Sequence, residues 1–268
     1  MWFNEILVYP IFNLLAIIYS YVHDFGLAII ILTLLMRILI WPLINKQLHS
    51  QRALQELQPE LQRIKKQAKG DRQLEGKLTM ELYKEKEINP FASILPLLIQ
   101  LPIFLALFVV LRDIIKSGEI AKICYDWVKH LPAIASIISG HTTLKPSLLG
   151  FINLTKPSIE LAVLAGLAQF VQTKQLQPKH PAQDQQAQVM AGMTYMFPVI
   201  TFVIGLTVPS ALSLYWLTAS LTAVFQQYLV LNRDVRELED GTPTPAISSP
   251  KSKQKGLRAK NGVKGEKA

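Results

Sequence analysis

Charge, cysteine and catalytic signatures are all scarce in this chain. Only 18% of its 268 residues are charged, where soluble domains carry about a quarter. The single cysteine, Cys124, can close no internal disulfide and offers no cluster of metal ligands. The five histidines, His23, His49, His130, His141 and His180, are scattered near span ends and in loops and read as solvated residues rather than ligands. No Gly-x-x-x-x-Gly-Lys phosphate loop, His-Glu-x-x-His pair or Gly-x-Ser-x-Gly elbow occurs. The expectation is a protein that is not an enzyme and takes neither a cofactor nor a metal.

Apolar sequence, by contrast, is abundant: 50% of the residues, with a mean hydropathy of +0.26. It falls in runs of roughly twenty residues, enough to cross about 30 Å of hydrocarbon at about 1.5 Å per residue. The clustering predicts an all-α integral membrane protein with five transmembrane helices. The spans are expected at 23–45, 91–112, 157–175, 190–208 and 209–232. The first is apolar from Phe25 to Ile44 apart from Thr33 and Arg37. The last two are joined by almost nothing, so a tight antiparallel hairpin through Pro209-Ser210 is expected. Residues 1–22 are also apolar but include Asn4, Glu5, Pro10 and Asn13 among Trp2, Tyr9, Tyr19 and Tyr21. They read as an amphipathic helix in the membrane interface, with a sixth span as the alternative. Neither a basic n-region nor a small-residue cleavage site suggests a signal peptide.

Basic residues set the orientation. Segment 46–90 carries ten Lys and Arg, the 176–189 loop with Lys174 just before it two, and the tail from Asn232 nine. The intervening Arg112–Lys156 segment carries six. The positive-inside rule then places the amino end outside and the carboxyl tail in the cytoplasm, making 113–156 extracytoplasmic. No transit peptide is evident, which points to a bacterial plasma membrane.

Within 46–90, Leu54, Leu57, Leu61 and Ile64 recur at alternating steps of three and four, and Leu74, Leu78 and Leu82 at steps of four. Lys69-Gly70-Asp71 separates the two stripes. This predicts an antiparallel helical hairpin with its apolar faces inward, in place of a solvated spacer. Pro59 should mark a kink or a fresh first turn.

Arg37 is the most informative residue. An arginine within a span costs at least about 2.5–3.5 kcal/mol, so it should face protein or a water-filled cavity; snorkelling to the cytoplasmic interface is the plainer alternative. Thr33 and Trp41, four residues either side, would share its helical face. Gln100, Gln169, Gln172, Ser213, Tyr215, Trp216, Thr218 and Ser220 are polar or amphipathic positions of other spans that could line the same cavity. No acidic residue in a span can pair with Arg37, which leaves it available to an incoming anionic group. Two readings stay open on these residues alone. One is a small-solute transporter binding an anion at Arg37, disfavoured by the missing internal repeat and odd span count. The other is a membrane-anchored scaffold with a structural Arg37.

The motifs follow one another in a definite order. Arg37-Ile38-Leu39-Ile40-Trp41-Pro42-Leu43 precedes Lys46-Gln47-Leu48 and Gln55-Glu56-Leu57-Gln58-Pro59-Glu60-Leu61. Leu82-Tyr83-Lys84-Glu85, Asn89-Pro90-Phe91 and Leu95-Pro96-Leu97-Leu98-Ile99-Gln100-Leu101-Pro102-Ile103-Phe104 come next. Leu212-Ser213-Leu214-Tyr215-Trp216-Leu217-Thr218 and Gln226-Gln227 close the series. Together they cover about Gly26 to Leu231, and the chain resembles the YidC/Alb3/Oxa family of membrane protein insertases.

The resemblance implies a five-span core around a hydrophilic groove, open to the cytoplasm and the lipid and closed on the outer side. The implied function is to insert and help fold nascent membrane proteins without nucleotide hydrolysis. Arg37 would attract acidic residues of a substrate, Gln169 and Trp216 would line the groove, and Thr33, Ile204 and Tyr215 would face substrate helices. Trp41 and Gln100 complete the expected groove set. The hairpin, with Leu57, Leu61, Ile64, Leu74, Leu78 and Leu82 in its interior, matches a cytoplasmic hairpin needed for insertion. The tail, 233–268, reads as disordered and basic; Lys251, Lys253, Lys255, Arg258, Lys260, Lys264 and Lys267 would meet the ribosome or anionic lipids. Nascent membrane proteins, the ribosome, the Sec translocon and anionic lipids are the implied partners of a chain acting as a monomer. The chain departs from the family pattern at Val208-Pro209-Ser210-Ala211, where Phe-Pro-Ala-Gly is frequent. Neither a large outer domain nor an amino-terminal lipoprotein cysteine is expected, and the long 113–156 segment has no assigned role.

Overall fold

The structure is a computed structural model that describes residues 2–86, 95–115, 120–176 and 185–239. The chain divides into two compact units, 1–230 and 231–268; of the second, only 231–239, the end of one helix, is described. The motif residues 89–91, the 177–184 part of the loop and the tail lysines and arginine from Lys251 to Lys267 lie outside the described residues.

The fold is helical throughout, with one small β-hairpin. A π-helical turn, Asn4–Val8, leads into α1, Tyr9–Val22. Next come α2 (Phe25–Leu39), α3 (Trp41–Glu56), α4 (Gln58–Ala68) and α5 (Arg72–Glu85). Helix α6 (Leu95–Ile115) is followed by three short helices, α7 (Ile120–Ile123), α8 (Asp126–Lys129) and α9 (Pro132–Ile138). Strands β1 (Ser147–Leu148) and β2 (Ile152–Asn153) pair antiparallel. Helices α10 (Ile159–Gln175), α11 (Gln185–Gly205) and α12 (Ser210–Glu239) complete the chain.

Among the described residues, Asn4–Val22 is long and apolar enough to cross a bilayer, and the bent pair α2–α3 passes the same test when taken together. The segment expected at the interface therefore has the length its alternative, a further span, requires. The outside of the first unit is apolar as well as the inside: Ile38, Leu39, Leu167, Val199, Leu221 and Phe225 are all exposed. A water-soluble surface does not carry apolar helix faces of this extent.

Close helix contact rests on small residues. A Cβ placed on Gly166 of α10 would stand 3.2 Å from Phe202 Cβ, and one on Gly205 of α11 would stand 3.0 Å from Ala162 Cβ. Ala162 and Ala165 are fully buried between these helices. Small side chains let helix backbones approach where no hydrophobic effect drives them together.

The first expected span is not one straight helix. Helix α2 ends at Leu39, and α3 leaves it at 63° across Ile40. Pro42, in the first turn of α3, has no N–H for the Ile38 carbonyl and its ring crowds the preceding turn. Trp41 thus belongs to α3, and the expectation that it shares a continuous helical face with Thr33 and Arg37 is corrected.

Helices α4 and α5 form an antiparallel hairpin turned by Lys69 and Gly70, both at positive φ, and by Asp71, whose carboxylate caps α5 at Gln73 N and Leu74 N. Leu57 and Leu82 are buried, Leu61, Ile64 and Leu78 are half-buried, and Leu74, in the turn adjoining the cap, is exposed. Pro59 occupies the first turn of α4, and Lys86 pairs with Glu60 at 3.5 Å across the open end.

Of the 113–156 segment, without an assigned role in the sequence, residues 120–156 form a clasp over the N-terminal ends of α2 and α12. Asn13 of α1, buried, donates to Ile123 O at 2.9 Å and accepts from Tyr125 N at 2.7 Å. Asp24 caps α2 at Leu27 N (2.8 Å) and with its other oxygen accepts from Leu149 N (2.7 Å) in the β-hairpin turn. Leu148 sits directly on Gly26, where a Cβ would come within 2.6 Å of it. At the far side of the clasp, Ser210 donates from its hydroxyl to Asn153 O and from its backbone to Lys156 O, and Ala211 N donates to Leu154 O. The N-terminal ends of α2 and α12 are thereby joined through the eight residues from Leu149 to Lys156, and the chain then enters α10 at Ser158. Cys124 is buried in this segment without a disulfide partner.

Two outcomes follow. Asp24→Ala removes a helix cap and the acceptor of Leu149, and should lower unfolding stability in detergent by about 1–3 kcal/mol, with Asp24→Asn recovering part of it. Burial pushes the Cys124 thiol up to about 11, against about 8.5 for a free thiol. Its alkylation at pH 8 should be slow and rise roughly tenfold per pH unit until about pH 11. The neutral thiol is the form the fold favours, so its stabilisation is intact below about pH 8.5 and lost as the pH rises through 11.

Candidate functional site

The site is built where α2 ends. Arg37 lies in the last turn of α2, three residues before the break. Along a helix the Cα–Cβ bonds tilt towards the N-terminus, so the Arg37 side chain starts back along α2, and it comes within electrostatic range of the Tyr215 hydroxyl of α12. Arg37 is half-buried, and among the described residues no carboxylate pairs with it.

Tyr215 is buried, and its hydroxyl accepts from Gln100 Nε2 of α6. Arg37, Gln100 and Tyr215 thus bring α2, α6 and α12 to one polar point in a largely apolar bundle. Beside them, Trp216 stacks on Phe104 of α6, ring centroids 4.9 Å apart and planes 7° from parallel. Its half-buried ring forms an apolar wall next to the polar point.

The other expected site residues lie further off or face elsewhere. Thr33 is buried one turn above Arg37, with its hydroxyl on Ile29 O of its own helix at 2.7 Å. Gln169 of α10 accepts from Ser220 of α12 at 3.0 Å, a polar tie between two helices. Ile204 is half-buried at the end of α11, next to Gly205. Trp41 offers its carbonyl, rather than its ring, to Gln226.

The residues just described sit in a chain whose relatives are known. A family model described as 60Kd inner membrane protein matches residues 17–237. Membrane protein insertase YidC of Fusobacterium nucleatum is 39% identical over 216 residues, covering 80% of this chain and 89% of the relative. The chain belongs to the YidC/Oxa/Alb3 family. Membrane protein insertase YidC of Francisella tularensis subsp. novicida is 36% identical over 229 residues, 85% of this chain, but only 36% of that longer relative is spanned. A crystal structure of an active YidC insertase, with its first transmembrane domain resolved, shares the fold at a TM-score of 0.56. It is 24% identical, with 85% of this chain and 47% of that chain covered. As a member of this family of inner membrane proteins, the chain is a membrane protein.

A second polar group near the bend went unread in the sequence. Gln226 of α12, fully buried, donates to Trp41 O at 3.3 Å and to Asn45 Oδ1 at 3.0 Å. Gln55 of α3 donates to Leu176 O at the end of α10. The Oε1 atoms of Gln47, Gln51, Gln175, Gln226 and Gln227 are buried with no partner among the described residues. The signal was present: Gln47, Gln51 and Gln55 recur every four residues, one face of a helix, beside the leucine stripe that drew the reading. Ile44, Leu48 and Val230 pack next to them, with Ile40 and Leu176 at the edge. Helix α3 is therefore latched across the end of α10 and the middle of α12 by both polar and apolar contacts.

Gln226→Leu removes both bonds from α12 to the start of α3. About 1–3 kcal/mol of stability should be lost. Trypsin should then cut after Arg52 several-fold faster in detergent, and an unchanged rate would show that α3 is held by its apolar contacts alone.

Proposed function

We propose that this chain is a membrane protein insertase of the bacterial inner membrane whose working surface is the Arg37–Gln100–Tyr215 point and the helix faces around it. The observation that carries the reading is a half-buried Arg37 that no carboxylate among the described residues pairs with, within electrostatic range of the Tyr215 hydroxyl. Holding such a charge away from bulk water costs at least about 2.5–3.5 kcal/mol on insertion scales. A groove wet enough to solvate it lowers that cost, and an acidic segment of a substrate, once inside, lowers it further.

The proposed sequence of events needs no covalent chemistry and no nucleotide. A nascent span with a short polar extension meets the α4–α5 hairpin on the cytoplasmic side. Its polar part enters the groove, where Arg37 attracts its acids and the Gln100 amide, Tyr215 hydroxyl and Gln169–Ser220 pair replace part of their water. Its apolar part lies against Trp216 and the outer faces of α10, α11 and α12, Ile204 among them, and passes sideways into lipid. Burial of some twenty apolar residues drives the process, and the membrane potential assists segments carrying acidic residues outwards.

Five spans, with the amino end outside and the carboxyl tail in the cytoplasm, suit this reading and the count of basic residues. Under the same reading the basic tail meets the ribosome or anionic lipid, and cooperation with the Sec translocon serves larger substrates. One copy of the chain contains the whole groove, so it works as a monomer.

The test is insertion of a small acidic-tailed membrane protein into vesicles holding the purified chain. Arg37→Ala should reduce insertion at least tenfold, Arg37→Glu should reduce it further, and Arg37→Lys should recover part of the activity. A substrate with a neutral tail should be much less affected. Equal insertion by Arg37→Glu and the parent would refute the groove account.

A further inference from the structure

The outer β-hairpin presents an unusual turn. Strand pairing joins Ser147 to Asn153 and Leu148 to Ile152, leaving Leu149, Gly150 and Phe151 as the loop. Leu149 (φ 51°) and Gly150 (φ 76°) are both left-handed, and Phe151 N donates to Leu148 O at 3.0 Å. A turn with positive φ at both central positions favours Asn-Gly or Asp-Gly. Here a leucine occupies the first position and a phenylalanine follows the glycine.

The geometry sorts these side chains by direction. Leu148 turns inward onto Gly26 of α2, while Leu149 and Phe151 turn outward, 59% and 90% exposed. The conformation is held by the Asp24 carboxylate, which accepts from Leu149 N, so two apolar side chains are displayed at a fixed place. That place is the N-terminal end of α2, in a hairpin whose second strand reaches the start of α12 and whose chain enters α10 at Ser158. For a chain embedded in a membrane, this is the level at which water gives way to lipid. Lys145 and Lys156 flank the loop and are exposed, and no acidic residue occurs from Thr143 to Pro157.

We propose that this tip is a lipid anchor: Leu149 and Phe151 insert among the acyl chains of the outer interface while the Lys145 and Lys156 ammonium groups meet anionic phospholipid headgroups. Apolar side chains seated at the acyl boundary with cations at headgroup level are the chemistry of interfacial binding. Because Asp24 and Leu148 fasten the same turn to α2, the anchor fixes the outer end of that helix relative to the bilayer. The inference needs only that the chain is embedded with its helix ends at the interface, and goes beyond the insertase reading.

The test uses the full chain in vesicles, with Phe151→Cys carrying the environment-sensitive fluorophore NBD and Gln73→Cys, on the exposed start of α5, as the control. Cys124 is buried, so labelling at neutral pH selects the introduced thiol. In phosphatidylglycerol-containing vesicles, NBD at 151 should emit to the blue of NBD at 73 and be quenched by lipids spin-labelled on the acyl chain. Quenching should weaken in pure phosphatidylcholine, and Lys145→Ser with Lys156→Ser should erase the difference between lipids. Emission at 151 as wet as at 73 would overturn the proposal, as would a blue-shifted label that no spin-labelled lipid quenches, which marks a protein neighbour. Equal quenching in both lipids would overturn the part assigned to the lysines. None of these readouts depends on insertion activity, so a failed anchor leaves the insertase reading intact, and a failed insertase reading leaves the anchor measurable.

Discussion

A guanidinium held near the end of an apolar helix, with no carboxylate paired to it among the described residues, is the constraint on which the rest of the fold depends. A charge so placed is tolerable only if its neighbours are polar, ordered and unable to collapse onto it. Tyr215 and Gln100 meet the first need from two other helices. The Phe104–Trp216 stack meets the last, because two rings lying flat on one another fill the space beside the charge with a stiff wall. What remains is a polar point bordered by an apolar one, which suits a polypeptide segment carrying both characters.

Holding that point open requires the helices to be fixed at their ends. At the clasp the fixing joins side chains to backbone: Asp24, Asn153 and Ser210 tie α2 to α12 through a short piece of chain with its own β-turn. At the bend the fixing is done by amides: Gln226 and Gln55 reach across from one helix to the backbone or side chains of another. In a medium without water, unpaired backbone groups are costly. Both ends therefore use donors and acceptors that would be ordinary in solution but are obligatory here.

Much of this was legible in the sequence, and the parts that were not share a physical reason. The α4–α5 hairpin could be read because leucines at helical spacing and a Lys-Gly-Asp turn are local signals. Arg37 and Tyr215 could be read because charge and polarity stand out in an apolar run. The break at Ile40 was missed although Pro42 was in plain sight, because hydropathy continues unbroken to Ile44 and a window sees composition rather than direction. The glutamine latch was missed because glutamine is unremarkable on a helix until a partner helix buries it. The clasp was opaque for a stronger reason: its bonds join Asp24 to Leu149 and Asn153 to Ser210, and no periodicity reports a pairing between residues so far apart. The family resemblance supplied what local pattern could not, the order of the helices around the site.

The 63° bend between α2 and α3 has a mechanical meaning. Two rigid helices meeting at a single residue form a crank, with the α4–α5 hairpin as its handle and Arg37 three residues from its pivot. Any displacement of α3 would therefore pivot within one helical turn of the charge, and the bonds of Gln226 and Gln55 hold α3 against it.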